Sequence, residues 1–137
     1  MPLDPVLVTD TRAWLRKAAI DLRSAEADLA AMPPIREDVV FRCQQAAEKA
    51  LKGFLTYHQQ PFGKTHDLRD LSRKCLDIDP ALMPILEPAI PLTRYAWKFR
   101  YPGAPDEPTA EEADEAWMIA RGLVQAILDR MPEEAQP

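Results

Sequence analysis

The sequence predicts an all-α protein, an up-down helical bundle of four main helices plus one short helix. Three observations carry that reading. Apolar and small residues recur at i, i+3, i+4 and i+7 through several long stretches. Segments rich in proline or glycine separate them, at Pro33 with Pro34, at Pro61 with Gly63, and over Tyr101 to Pro108. No stretch alternates apolar and polar residues as a half-buried strand does. Residues 1–137 are read as one domain with a core of about 11–131.

Each element follows from local chemistry. Met1 to Asp10 holds two prolines and reads as an extended lead-in. The first helix is expected from Thr11 to Ala31, capped by Thr9 or Asp10, with Leu15, Ala18, Leu22, Ala25 and Leu29 inward. Pro33 and Pro34 stop it, since proline has no N–H and clashes with the preceding turn. The second helix is expected from Asp38 to Tyr57. Val40, Cys43, Ala47, Ala50, Leu51 and Phe54 form its buried stripe, and the small Ala46, Ala47, Ala50 and Gly53 allow close helix approach. Arg42, Gln45, Lys49 and Lys52 lie on its polar side. Asp67 caps a short third helix, Leu68 to Leu76, with Leu68, Leu71 and Cys75 inward. Asp79 before Pro80 is a cap followed by an N1 proline. Pro84, Pro88 and Pro91 break the next segment, each interior proline costing about 3 kcal/mol. A regular helix is expected only from Leu92 to Arg100. Thr109 with Glu112 forms a capping box for the last helix. Its stripe is Ala113, Ala116, Trp117, Ala120, Val124, Ile127 and Met131. The tail after Pro132 is expected to fray.

Composition narrows the function classes. The chain has 137 residues, 47% hydrophobic and 28% charged, with net charge −5. An acidic chain attracts nucleic acid only through a local basic patch. Cys43 and Cys75 lack ligand spacing and read as reduced core thiols, which suits a cytoplasmic protein. No apolar run is long enough for a membrane span, and no signal peptide is expected. Four glycines contain no phosphate loop, and His58 and His66 have no ligand partners, so no cofactor and no metal site are expected.

The candidate site is cationic. Arg100 offers a guanidinium fork for phosphate, and Tyr101 a phenol to bond or stack on a base. The blander reading pairs Arg100 with a carboxylate near Glu111. In an up-down bundle the start of the second helix meets the end of Leu92–Arg100, so Arg36, Arg42, Gln45, Arg94 and Arg100 share one end. Lys49 and Lys52 lie further away and read as a solvated face with Glu48 and Lys52 paired. His66 reads as a residue that orders its loop. Trp14, Trp97 and Trp117 exceed what a small core hides, which points to a homodimer.

Three local signatures fall in one order: QQAAEKALKGFL from Gln44 to Leu55, KTHDLRDL from Lys64 to Leu71, and Arg94-Tyr95 with Arg100-Tyr101-Pro102-Gly103. Together they resemble the HEPN family, small helical proteins of bacteria, archaea and some eukaryotes, over roughly Ala13 to Met131. The resemblance implies a bundle that dimerises through its helices. It also implies a role beside nucleotides or RNA, often with a separately encoded minimal nucleotidyltransferase as partner. In many such pairs the HEPN member is a metal-independent RNase toxin and the transferase its antitoxin. That branch uses an arginine followed four to six residues later by a histidine. Arg100 fits the arginine, but no histidine follows His66. The expectation is therefore a nucleotide- or RNA-associated binding module working through the patch around Arg100. One alternative is a ribonuclease toxin in which Asp106 or Glu107 replaces the histidine. Another is a helical scaffold without a ligand.

Overall fold

The computed structural model describes residues 3–103 and 107–137, and helices follow one another with no strand among those residues. Helix α1 runs Pro5–Ala30. It starts earlier than expected because Asp4, not Thr9 or Asp10, is its cap: the Asp4 carboxylate accepts from Val6 N at 2.9 Å and Pro5 occupies the first turn. Thr9 and Thr11 instead donate their hydroxyls back to the carbonyls of Pro5 and Leu7, both at 2.8 Å, which places them inside the helix. After α1 the chain reverses, and Ile35 N donates to Asp28 O at 3.0 Å. Helix α2 then runs Arg36–Tyr57, with Glu37 and Asp38 in its first turn against the positive helix end.

Helices α1 and α2 form an antiparallel hairpin. Asp21 meets Lys49, while Leu15 lies against Gly53 further along the opposite way. A Cβ on Gly53 would stand 2.9 Å from Leu15 Cδ2 and 3.2 Å from Trp14 Cβ, so glycine sets how closely the helices approach. Gly53→Val is therefore expected to destabilise by about 2–3 kcal/mol through overpacking, despite the poor helix propensity of glycine. A denaturant titration checks it; an unchanged midpoint would show that Leu15 and Trp14 yield freely.

Helix α3 runs Leu68–Ile78 and is capped by Asp67, whose carboxylate accepts from Arg69 N. A short 3-10 turn Pro80–Leu82, the single-turn helix α4 Met83–Leu86, and a 3-10 segment Glu87–Ala96 follow. The regular helix expected over Leu92–Arg100 does not form. Pro88 and Pro91 supply no N–H, the chain tightens to 3-10 geometry through Ala96, and turns follow. Helix α5 runs Ala110–Leu128 behind the expected capping box, with Thr109 Oγ1 accepting from Glu112 N and Glu112 Oε1 accepting from Thr109 N, both at 3.0 Å.

One core joins these elements. Leu15, Leu51, Phe54, Leu55, Leu71, Leu86, Tyr95, Leu123 and Ile127 are all buried within it. Each fully buried leucine contributes roughly 1.5–3 kcal/mol. Helix α2 is central and buries residues on several sides, not on one stripe alone. Trp117 is only partly buried, packed at the edge of the core. The tail does not fray: a 3-10 turn Glu133–Ala135 seats Ala135 in the core, and Arg12 Nε donates to Glu134 O at 3.0 Å. Cys43 and Cys75 are buried and free, and burial pushes both thiols up to about 12, which keeps them protonated and inert. No described helix is long and apolar enough to cross a membrane.

Candidate functional site

The end of α1, the start of α2 and the turn after Ala96 enclose a cleft of about 370 Å³, lined by Asp28, Ile35, Glu37, Asp38, Phe99 and Arg100. Its geometry depends on Phe99, which adopts a left-handed backbone with φ of 71°. A bulky residue rarely adopts that conformation, at a cost on the order of 1–3 kcal/mol. Surrounding contacts hold it: the Phe99 ring stacks 6.2 Å from Tyr95, and Lys98 Nζ sits 5.0 Å from the Phe99 centroid. The reversal at Phe99 turns Arg100 back onto α2, where its guanidinium lies 3.6 Å above the Phe41 ring. Arg100 makes no ion pair among the described residues. Stacking fixes the plane of the guanidinium and leaves its N–H edges for a phosphate or carboxylate.

Arg36 and Arg42 adjoin the cleft but are already paired. Arg36 donates to Glu107 at 2.7 Å, so Glu107, one candidate replacement for the missing histidine, is held by an arginine. Asp106, the other, lies outside the described residues. Arg42 bridges Asp21 at 3.2 Å and Asp38 at 3.5 Å. Burial opposes its charge, but the two aspartates outweigh that and hold its pKa above the ordinary arginine value.

The other expected members lie elsewhere. Arg94 donates to the Tyr95 hydroxyl at 2.9 Å and approaches Glu112 to 4.0 Å. It lines a separate small crevice against α5 together with Pro88, Pro91 and Glu112. Gln45 donates to Gln44 Oε1 at 2.7 Å and belongs to a buried polar network, not to the cleft. Tyr101 follows Arg100 in sequence, is 78% exposed, and does not line the cleft.

Lys49 and Lys52 are not a solvated face. Lys49 reaches buried Asp21 at 2.6 Å. Lys52 and Glu48 are both buried and pair at 3.0 Å. Glu48 Oε1 also accepts from Gln44 Nε2 at 3.1 Å and faces His66 Nδ1 at 2.7 Å, while Gln44 Nε2 reaches His66 O at 3.2 Å. The ammonium of Lys52 sits 5.6 Å from the Trp14 ring and 5.7 Å from Phe62. Residues from the first two sequence signatures thus meet in one polar knot, which ties the loop carrying His66 to α2.

Three residues that sequence reasoning missed form the cleft's acidic wall, Asp28, Glu37 and Asp38. Asp28 raises its pKa to about 6 because burial penalises its charge and the carboxyl of Asp38 shares a hydrogen bond and repels it; Arg42 only partly offsets this. Its Oδ2 is buried without a hydrogen-bond partner. Asp28 carried no signal of its own in the sequence. Only the hairpin reveals that the end of α1 faces the start of α2.

The sign of the linkage is definite. The pKa of Asp28 is higher folded than unfolded, so its contribution is fully present below about pH 4 and is lost as pH rises through 6. Asp28→Asn should remove that part of the pH dependence. Above pH 6 it should stabilise the fold by about 1–2 kcal/mol, after discounting for partial solvent access. Melting curves at pH 5 and pH 8 check this; destabilisation at pH 8 would contradict it.

Comparison with known proteins bears on this geometry. The family model described as HEPN domain matches residues 11–131. The chain belongs to the HEPN domain family. No curated protein gives a significant match. Among solved structures, this HEPN chain is similar to the crystal structure of TT1696 from Thermus thermophilus. The two are 26% identical, with a TM-score of 0.69, covering 88% of this chain and 98% of that one. The fold of this HEPN domain therefore accompanies a cleft whose only unpaired arginine is Arg100, among the described residues that line it.

Proposed function

We propose that this HEPN domain is a binding module that holds a nucleotide or RNA at the cleft beside Arg100. It would act as a homodimer beside a minimal nucleotidyltransferase partner. The observation that most supports ligand binding is the guanidinium of Arg100, stacked 3.6 Å above Phe41 at a cleft of about 370 Å³. A preoriented guanidinium loses little freedom when it engages phosphate. A cleft of this volume falls within the range that small ligands occupy. With a net charge of −5, attraction must be local to the arginines and sensitive to salt.

Titration of short single-stranded RNAs and mononucleotides at low and then raised salt tests the binding. An affinity that falls with salt supports it; no binding at low salt refutes it. The homodimer draws support from exposed Met32, Trp97 and Tyr101, which are 94%, 57% and 78% exposed. A monomer by light scattering at micromolar concentration would refute it. The ribonuclease alternative needs a general base, and Glu107 is engaged by Arg36. Growth arrest on expression that disappears with Arg100→Ala would favour the ribonuclease; no arrest and no RNA decay would dismiss it.

A further inference from the structure

The cleft is electrostatically two-sided. Asp28, Glu37 and Asp38 supply carboxyl groups, whereas Arg100 supplies a guanidinium that is unpaired among the described residues. A phosphate is repelled by the first set and attracted by the second, so a nucleotide has one favourable orientation. Its phosphate sits at Arg100 and its base points toward the carboxyl groups. On that side Asp28, Glu37 and Asp38 line the cleft together. A ligand N–H that donates to a carboxylate of this wall makes a charge-assisted hydrogen bond.

We infer that the cleft takes a guanine nucleotide, with the base N1–H and 2-amino group donating to Asp28 and Asp38 and the phosphate held by Arg100. Guanine presents two adjacent donors on its pairing edge, which matches a wall of acceptors. Adenine and cytosine each place an acceptor next to their amino group there. The single ring N–H of uracil is flanked by two carbonyl oxygens that would face the carboxylates. Phe99, which lines the cleft, offers an aromatic surface for the base. Arg42, paired to Asp38 and Asp21, holds the wall in place without filling it. The inference rests on the nucleotide-binding reading of this cleft.

Titrating GMP, IMP and UMP into the wild-type protein at low salt tests it. IMP differs from GMP only in lacking the 2-amino group. GMP is expected to bind about tenfold more tightly than IMP, the ratio expected for one lost hydrogen bond to a charged group. Asp28→Ala should bring GMP down to the level of IMP. Asp28→Asn, which keeps one acceptor oxygen, should fall between and serves if the alanine variant does not fold. Equal binding of GMP, IMP and UMP, all lost in Arg100→Ala, would overturn the guanine assignment and leave the nucleotide reading standing. No binding of any of the three to the wild type would overturn both. Displacement of GMP by arginine amide at comparable concentration would also overturn the assignment and mark the acidic wall as a seat for a partner protein's guanidinium.

Discussion

Glu48→Ala is expected to destabilise the protein by about 3–5 kcal/mol, the range seen when one partner of a buried ion pair is removed. The reason is what remains behind. Lys52 stays 7% exposed beside Trp14 and Phe62, with no other carboxylate pairing with it among the described residues. Gln44 and His66 lose their shared acceptor at the same time. Glu48→Gln keeps the shape but not the charge, so it should cost less than alanine and more than a surface substitution. Changing Glu48 and Lys52 together to leucine and methionine should recover much of the loss, because no unpaired charge is then buried. A double-mutant cycle by chemical denaturation measures this. Additive costs for Glu48→Leu and Lys52→Met would show that the two side chains are not coupled.

Arg100→Ala should weaken nucleotide or RNA binding about tenfold or more and leave the melting temperature nearly unchanged. The residue is exposed and makes no ion pair among the described residues, so the fold depends on it little. Its stack on Phe41, at an exposed position, is worth only about 0.5–1 kcal/mol. For single-stranded RNA, the slope of log affinity against log salt should fall by about 0.7, one phosphate contact fewer. Arg100→Lys should recover part of the affinity but not all, because an ammonium supplies the charge without the stacked planar fork. Full recovery with lysine would mean that the charge alone matters.

Helix positions are legible in the sequence where burial follows period. The α2 stripe from Val40 to Phe54, the Thr109–Glu112 capping box and the Asp67 cap all appear in the structure as residue type and spacing imply. The Pro5 start is encoded too, since Asp4 before Pro5 is the same cap-and-proline pair that Asp79 and Pro80 form. What is not legible depends on tertiary neighbours. Glu48 and Lys52 look like an exposed i, i+4 pair until the His66 loop and Phe62 cover them. Arg36 and Arg42 on α2 lie toward the end of the bundle where Arg100 folds back, yet nothing in residue type shows that both are paired to carboxylates. The left-handed turn at Phe99 is equally hidden, because a phenylalanine there is dictated by packing and not by preference. Without that turn, Arg94 and Arg100 look like members of one helix and one patch. The structure separates them, turning Arg94 toward Glu112 and Arg100 onto Phe41.

The most direct measurement is an amide and side-chain NMR titration of the wild-type protein with GMP. Saturable shifts should centre on Asp28, Asp38, Phe41, Phe99 and Arg100 and vanish in Arg100→Ala. Shifts centred instead on His66 and Phe62, or on the crevice between Pro91 and Glu112, would contradict the placement of the ligand site at this end of the bundle.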